Sequence, residues 1–208
     1  MYLYLGRHGE TIWNRESRVQ GNKDIPLNEK GISLALESAA AMKREGLVFD
    51  RAFTSPLNRA YETARILLDA CGAPQVVLEE DDRLREFCFG EGEGELIDKI
   101  RENPEHPMYP FLFDPDAPGW PAGAETFADV RTRFAEFIRE EILPLEGSCE
   151  NILILTHGGL LREALDWICD RKRRGYVPTA GEFCNCSFNI VECLHGELRL
   201  LEGNKVFY

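Results

Sequence analysis

Short apolar runs alternate along this chain with longer segments in which apolar residues recur every three or four positions. The first run, "YLYL" at residues 2–5, breaks abruptly into Gly6, Arg7, His8, Gly9 and Glu10. "LNEKGISLALESAAAMKREG" follows, with Asn28 as a candidate N-cap, Ile32, Leu34, Ala35 and Met42 at helical spacings, and Gly46 as a stop. "RAFTSP" and "QVVLEE" read as strands, and between them "PLNRAYETARILLDACG" reads as a helix opened by Pro56 and closed by Gly72. Thr126 caps a predicted helix in "TFADVRTRFAEFIREEILP", after which "NILILTHGG" is an Ile- and Leu-rich strand and "LLREALDWICD" a further helix. "FCNCSFNIVECLHGELRLLEG" alternates like two strands around a turn at His195, Gly196 and Glu197.

Strands separated by helices predict an α/β fold: a three-layer sandwich with a mostly parallel central sheet flanked by helices. The whole chain, residues 1–208, reads as a single domain. Residues from about 90 to 124 depart from the rhythm, with one short helical signal at "ELIDKIREN" and six of the eleven prolines. A structureless loop of that length is unusual unless it is functional, so the segment is expected to be a small inserted cap over the sheet's edge.

Charge sharpens this picture. Against 24 Lys and Arg stand 36 Asp and Glu, a net charge of −12, so the overall field repels nucleic acid and anionic lipid, and neither is expected as a partner. An anion site on such a chain requires a local cluster of arginines. No run approaches the ~18 apolar residues of a membrane span, and the amino terminus carries no export-signal pattern, so a cytoplasmic, soluble protein is expected. Seven cysteines without a CxxC pair suit a reducing compartment. Cys184 and Cys186, flanked by Phe183 and Phe188, read as alternation along a strand rather than as a soft-metal pair.

Candidate chemistry sits at two strand ends. His8 follows "YLYLGR" and His157 follows "NILILT", each with glycine next, and open α/β sheets bind ligands beyond the carboxyl ends of their strands. Arg59, in the first turn of the helix after "RAFTSP", can reach the same edge. With Arg7 it could clamp phosphoryl oxygens, because each planar guanidinium offers paired donors. Phosphate is the anion that best explains two arginines beside two histidines. The run "GEGEGE" is not read as a phosphate-cradling loop, since carboxylates at alternate positions repel the ligand.

In order along the chain, "RHGET" with Trp13 and Asn14, "RVQGNKDIPLNEKG", "TSPLNRAYETA", "LREFCFGEGEG" and "LTHGGLLR" resemble the motifs of the histidine phosphatase superfamily, in the branch shared by cofactor-dependent phosphoglycerate mutases and small bacterial phosphatases. The resemblance implies that His8 is the nucleophile, that Arg7, Asn14, Arg59 and His157 surround the phosphoryl oxygens, and that Glu86 exchanges a proton with the leaving alcohol. No cofactor and no metal are expected. The chain departs from the pattern at Gly92, where many relatives have Trp, and at residues 122–126, which stand where "PGGES" is usual.

Met108, Tyr109, Phe111, Phe113 and Trp120 give the cap an apolar surface and are candidates for substrate contact. Its only Lys and Arg are Lys99 and Arg101, against Glu91, Glu93, Glu95, Asp98, Glu102, Glu105, Asp114 and Asp116. Such a cap is expected to repel a bisphosphate and to leave water free to attack a phosphorylated His8. The sequence therefore favours a phosphomonoester hydrolase acting through phosphohistidine on a small, partly apolar phosphate ester. A cofactor-dependent phosphoglycerate mutase is the alternative, and a non-catalytic phospho-ligand binding protein the third reading. The basic stretch 171–174 is a candidate patch for an anionic tail, with a solvated helix end as the plainer reading.

Overall fold

The computed structural model describes residues 1–113, 121–170 and 183–208. In chain order its elements are β1 (Tyr2–Arg7), the single turn α1 (Ile12–Arg15), α2 (Glu29–Arg44), β2 (Arg51–Thr54), α3 (Asn58–Cys71), β3 (Leu78–Glu80), the short α4 (Ile97–Arg101) and α5 (Tyr109–Phe113), α6 (Phe127–Phe137), β4 (Asn151–Thr156), α7 (Gly158–Ile168), β5 (Ser187–Leu194) and β6 (Glu197–Val206). Among the described residues the strands form one sheet in the order β3-β2-β4-β1-β5-β6, parallel from β3 to β1 and antiparallel through β5 and β6. This is the mostly parallel α/β sandwich that the alternation of strand and helix signals predicts.

The two-residue period of the strands builds its layers. On β4, Ile152 and Ile154 face a core shared with Val130, Phe134 and Phe137 of α6 and Leu160, Leu161 and Ala164 of α7. Leu153 and Leu155 face the opposite core, with Ala39 and Met42 of α2 and Ala64, Leu67 and Leu68 of α3. All four strand residues are fully buried, each contributing roughly 1.5–3 kcal/mol of transfer free energy. A strand apolar on both faces has to lie inside the sheet, and β4 does, between β2 and β1.

Local chemistry fixes most helix ends. Asn28 caps α2 by accepting the Gly31 N–H (2.8 Å), and Thr126 caps α6 in a reciprocal box with Asp129. The start of α3 differs from expectation: Pro56 lies ahead of the helix, which begins at Asn58, because the Leu57 N–H is taken by the Ser55 hydroxyl (3.3 Å) and Leu57 keeps extended backbone. "QVVLEE" is strand only over Leu78–Glu80. Cys184 and Cys186 also depart from their expected alternation, since both precede β5. Cys186 turns with φ +56°, and its N–H reaches the carbonyls of Arg7 (3.2 Å) and His8 (3.3 Å), folding this turn over the end of β1.

Within residues 90–113, α4 and α5 supply Ile100, Phe111 and Leu112 to the core of α6 and α7, joined by Met108. Residues 114–120, including Trp120, and the basic stretch 171–174 lie outside the described residues. Among the described residues no helix is long and apolar enough to cross a membrane.

One backbone contact sets the position of the first strand's end. The amino-terminal turn of α2 lies directly on the loop after β1: a Cβ at Gly31 would sit 2.2 Å from the Glu10 carbonyl oxygen, and one at Gly9 would sit 2.8 Å from the Gly31 oxygen. Alanine is intrinsically the better helix former, by about 1 kcal/mol. Gly31→Ala is nevertheless expected to lower the melting temperature and displace His8, because the neighbouring atoms are backbone and cannot swing aside. A Gly31→Ala protein that melts at or above the wild-type temperature would refute this contact.

Candidate active site

The parallel register that pairs Arg7 with Thr156 places His8 and His157 one residue beyond adjacent strand ends. The His8 N–H donates to the Thr156 carbonyl (3.1 Å), and the two rings lie 5.1 Å apart between centroids. Both side chains are buried. Ser55, one residue past β2, completes the row by pairing its hydroxyl with His157 Nε2 at 2.8 Å.

The partners of His8 assign its tautomer. Nδ1 lies 2.7 Å from the Gly9 carbonyl, which can only accept, so Nδ1 carries the proton. Nε2 accepts from Arg59 Nε at 3.3 Å and therefore presents a lone pair. Burial first, then the charges of Arg59 and Arg7, hold this imidazole well below the usual histidine range, so the ring is neutral at pH 7. His157 is held low by burial first and then by Arg59, His8, Arg133 and Arg7. The Ser55 hydroxyl also accepts the Leu57 N–H at 3.3 Å, and with a second lone pair and its own proton it can pair with either tautomer of His157. Its Nδ1 is buried without a hydrogen-bond partner among the described residues.

Arg59 is fully buried on the first turn of α3. Its Nη1 and Nη2 donate to the carbonyls of Lys23 (2.8 Å) and Gly21 (2.7 Å), which aims the remaining Nε–H at His8. Burial pulls its pKa down to about 10, still high enough to keep the charge at neutral pH. Thr63, one turn further along α3, accepts the Gly9 N–H at 2.9 Å and ties the loop after His8 to the same helix. Arg7 Nη1 donates to the Phe183 carbonyl at 2.5 Å, and its Nε lies 3.5 Å from where a Cβ on Gly158 would stand, at the start of α7.

Glu86 approaches from the irregular segment after β3. Its carboxylate accepts the N–H groups of Phe87 (2.9 Å), Gly159 (2.9 Å) and Leu160 (3.0 Å), closing on the amino terminus of α7 two residues after His157. A Cβ on Gly159 would stand 2.5 Å from Glu86 Oε1, so "HGG" rather than "HG" is what lets the carboxylate dock. Asn14 is attached less directly: its amide oxygen caps α1 by accepting the Thr11 N–H (3.1 Å), and Asn185 Nδ2 lies 3.5 Å away while donating to the His8 carbonyl (3.0 Å). Its amide nitrogen is the donor left for the pocket.

The structure thus brings His8, His157, Arg59, Glu86 and Arg7 to one sheet edge, with Asn14 beside them. The cap candidates separate. Met108 and Phe111 are buried, Phe111 against Phe87, Phe89 and Phe127, while Tyr109 and Phe113 are part-buried and pack on the same core. Met108 also occupies the space above Gly92, where a Cβ would lie 2.3 Å from its sulfur. The expected one-residue departure at Gly92 is thereby filled from within. Ser55, Thr63 and Asn185 were not singled out by sequence. Ser55 carries the same strand-end signal as the histidines, whereas Thr63 and Asn185 are placed by α3 and by the turn before β5, with no local signature.

The model of the histidine phosphatase superfamily (branch 1) matches residues 3–205. The 2,3-bisphosphoglycerate-dependent phosphoglycerate mutase of Parvibaculum lavamentivorans is 37% identical over 161 residues, 77% of this chain and 76% of that protein. The solved structure of Bacillus stearothermophilus YhfR superposes with a TM-score of 0.82 at 31% identity, covering 99% of this chain and 97% of its own. A phosphoserine phosphatase mutant from Entamoeba histolytica, solved with phosphoserine, gives 0.81 at 25% identity over 98% of this chain and 96% of its own. The chain belongs to the histidine phosphatase superfamily, a class of phosphoryl-transfer enzymes acting on small phosphorylated substrates.

The expectation of a hydrolase is corrected by these relatives, since curated proteins at 33–37% identity are named as bisphosphoglycerate-dependent mutases. The acidity of residues 90–124 is a poor guide because charge counted along a chain ignores where each group points. Glu93 turns inward, its Oε1 accepting the N–H groups of Asn22 (2.9 Å) and Phe89 (3.2 Å), and Asp98 pairs with Arg101 (2.6 Å). What an anion meets at His8 is the local field of Arg7 and Arg59.

Two outcomes are expected. A histidine held neutral stabilises the fold fully above about pH 6.5, and that contribution drains as pH falls toward the folded pKa, because the unfolded chain then binds protons that the folded chain excludes. Between pH 7 and 5, urea unfolding should therefore show wild-type stability falling more steeply than that of His8→Gln/His157→Gln, by up to about 1.4 kcal/mol per pH unit for each histidine. Equal slopes would mean the rings are not neutral in the fold. Phe111→Ala should cost about 3–5 kcal/mol of stability with KM unchanged, as a core aromatic rather than a substrate contact; melting curves and steady-state kinetics read the two quantities separately.

Proposed function

We propose that this chain is a 2,3-bisphosphoglycerate-dependent phosphoglycerate mutase, working through a phosphohistidine at His8. The observation that carries the reading is the unprotonated Nε2 of a buried, neutral His8 held against Arg59, in a chain whose relatives are named for that activity. The side chains fit a phosphorylated anion: two guanidinium groups and two histidines gather at one sheet edge in a chain whose overall charge is −12. 2,3-Bisphosphoglycerate supplies, when bound, the phosphoryl group that primes His8.

His8 Nε2 attacks phosphorus, and the bond from phosphorus to the ester oxygen breaks as the P–N bond forms. Nδ1–H···O=C to Gly9 fixes the ring and stabilises the positive charge that develops on it. Arg59, Arg7 and His157 stabilise charge on the equatorial oxygens without reorganising, because packing already holds them in place. Glu86, as carboxylate, takes the proton of the hydroxyl that attacks the phosphohistidine, and returns it to the alkoxide that departs when His8 is phosphorylated again. Asn14 offers a neutral donor at the edge of the same pocket.

The purified protein should interconvert 3- and 2-phosphoglycerate, with stimulation by 2,3-bisphosphoglycerate and at a rate exceeding phosphate release. His8→Ala should carry no acid-labile phosphoryl label and show no interconversion. Phosphate release outpacing interconversion, or label persisting in His8→Ala, would overturn the assignment.

A further inference from the structure

The first amides of α7 receive the Glu86 carboxylate, but the segment that presents it has no regular structure to hold its backbone. The residues between the turn ending at Leu84 and the bridge at Phe89 belong to neither helix nor strand, so their backbone groups have no ladder partners. A proton donor must be held within hydrogen-bond reach of the atom it serves, and an unsupported loop does not do this.

Support comes from α6. Arg133 donates from Nη1 to the Arg83 carbonyl (2.6 Å) and from Nη2 to the Glu86 carbonyl (3.2 Å), taking hold of the chain just before and at the acid. The same guanidinium grips Glu125 with two bonds, Nε to Oε1 at 3.0 Å and Nη2 to Oε2 at 3.2 Å. Glu125 in turn accepts the Cys88 N–H at 2.8 Å through Oε2, and its own N–H donates to the Cys88 carbonyl at 2.9 Å. Glu86 therefore sits between two backbone anchors, one on each side, joined to each other by a bidentate ion pair. At 16% and 27% side-chain exposure the pair is largely withdrawn from water, unlike a solvated surface bridge worth little.

We infer that Arg133, buckled to Glu125, is a positioning residue for the proton donor, setting where the Glu86 carboxylate stands relative to the alkoxide it protonates. It rests on the reading of Glu86 given above and goes beyond it by naming the groups through which the loop is aimed. Neither Arg133 nor Glu125 hydrogen-bonds any of the groups assigned to the phosphoryl pocket. Lysine cannot replace the fork, because one ammonium cannot bind a carboxylate in two places and two carbonyls at once.

The test compares phosphorylation of His8 by an alkyl ester, 2,3-bisphosphoglycerate, whose leaving oxygen needs a proton, with that by p-nitrophenyl phosphate, whose phenolate does not. Rapid-quench label and the nitrophenolate burst give the two rates for wild type, Glu86→Gln, Arg133→Met, Arg133→Lys and Glu125→Gln. General acid catalysis is worth ~10²- to 10⁴-fold, so each buckle variant should slow the alkyl reaction about 10- to 100-fold and the aryl reaction less than about threefold. Arg133→Met added to Glu86→Gln should cost nothing further in the alkyl reaction. Where Arg133→Met melts below the assay temperature, Arg133→Lys and Glu125→Gln carry the comparison. Equal slowing of both esters in the buckle variants, or wild-type selectivity in Arg133→Lys, would overturn the positioning role while Glu86→Gln stays selective. Equal slowing of both esters in Glu86→Gln would instead overturn the proton-donor reading itself.

Discussion

Everything in this pocket depends on the parallel pairing of β1 with β4. Its register sets Arg7 opposite Thr156 and so delivers His8 and His157 to one edge at the same height. A slip of one residue would send each side chain to the other face, because strand side chains alternate, and the two rings would part. The double apolar alternation of β4 makes such a slip costly: Ile152 and Ile154 would exchange cores with Leu153 and Leu155. Packing on both faces of the sheet, rather than any contact within the pocket, thus holds the histidines together.

Around that edge the central electrostatic problem is to gather cations without protonating the nucleophile. Burial and positive neighbours act in the same direction on an imidazole, both favouring the neutral ring, while they act in opposite directions on a bound anion, which loses water but gains charge. A buried His8 between Arg7 and Arg59 therefore stays neutral while the charges beside it persist, as the proposed role of nucleophile requires. Arg59 keeps its own charge because the carboxylates of Glu86, Asp24 and Glu93 oppose burial, which lowers its pKa only to about 10. The net charge of −12 is spread over the chain, with Glu93 engaged by the amides of Asn22 and Phe89 and Asp98 by Arg101, while the charges acting directly on His8 are those of Arg59 and Arg7.

Glu86, the proposed proton donor, is placed differently. His8 stands on a strand and Arg59 on a helix, whereas Glu86 stands on irregular chain and borrows order from two helices. The first amides of α7 receive its carboxylate, and α6 holds its backbone through Arg133. α6 and α7 share one core with α5 and Met108, in which Phe111 and Leu112 are buried.

The sequence by itself determined the α/β alternation, the strand-end placement of His8 and His157, and the identity of Arg7, Arg59 and Glu86. Each of these follows from local patterns: apolar period, a cap, a motif contiguous in the chain. Tertiary structure alone decided what is made of contacts distant in sequence. Thr63 meets the Gly9 N–H across 54 residues and Arg133 meets the Glu86 carbonyl across 47, neither with a local signature. Charge was legible only as a sum, and the sum misled about hydrolysis because it cannot say that Glu93 points inward. The cap aromatics were visible as apolar residues, but whether an apolar side chain meets a substrate or a core is decided by which surface the fold brings over it, and for Met108 and Phe111 that surface is the core.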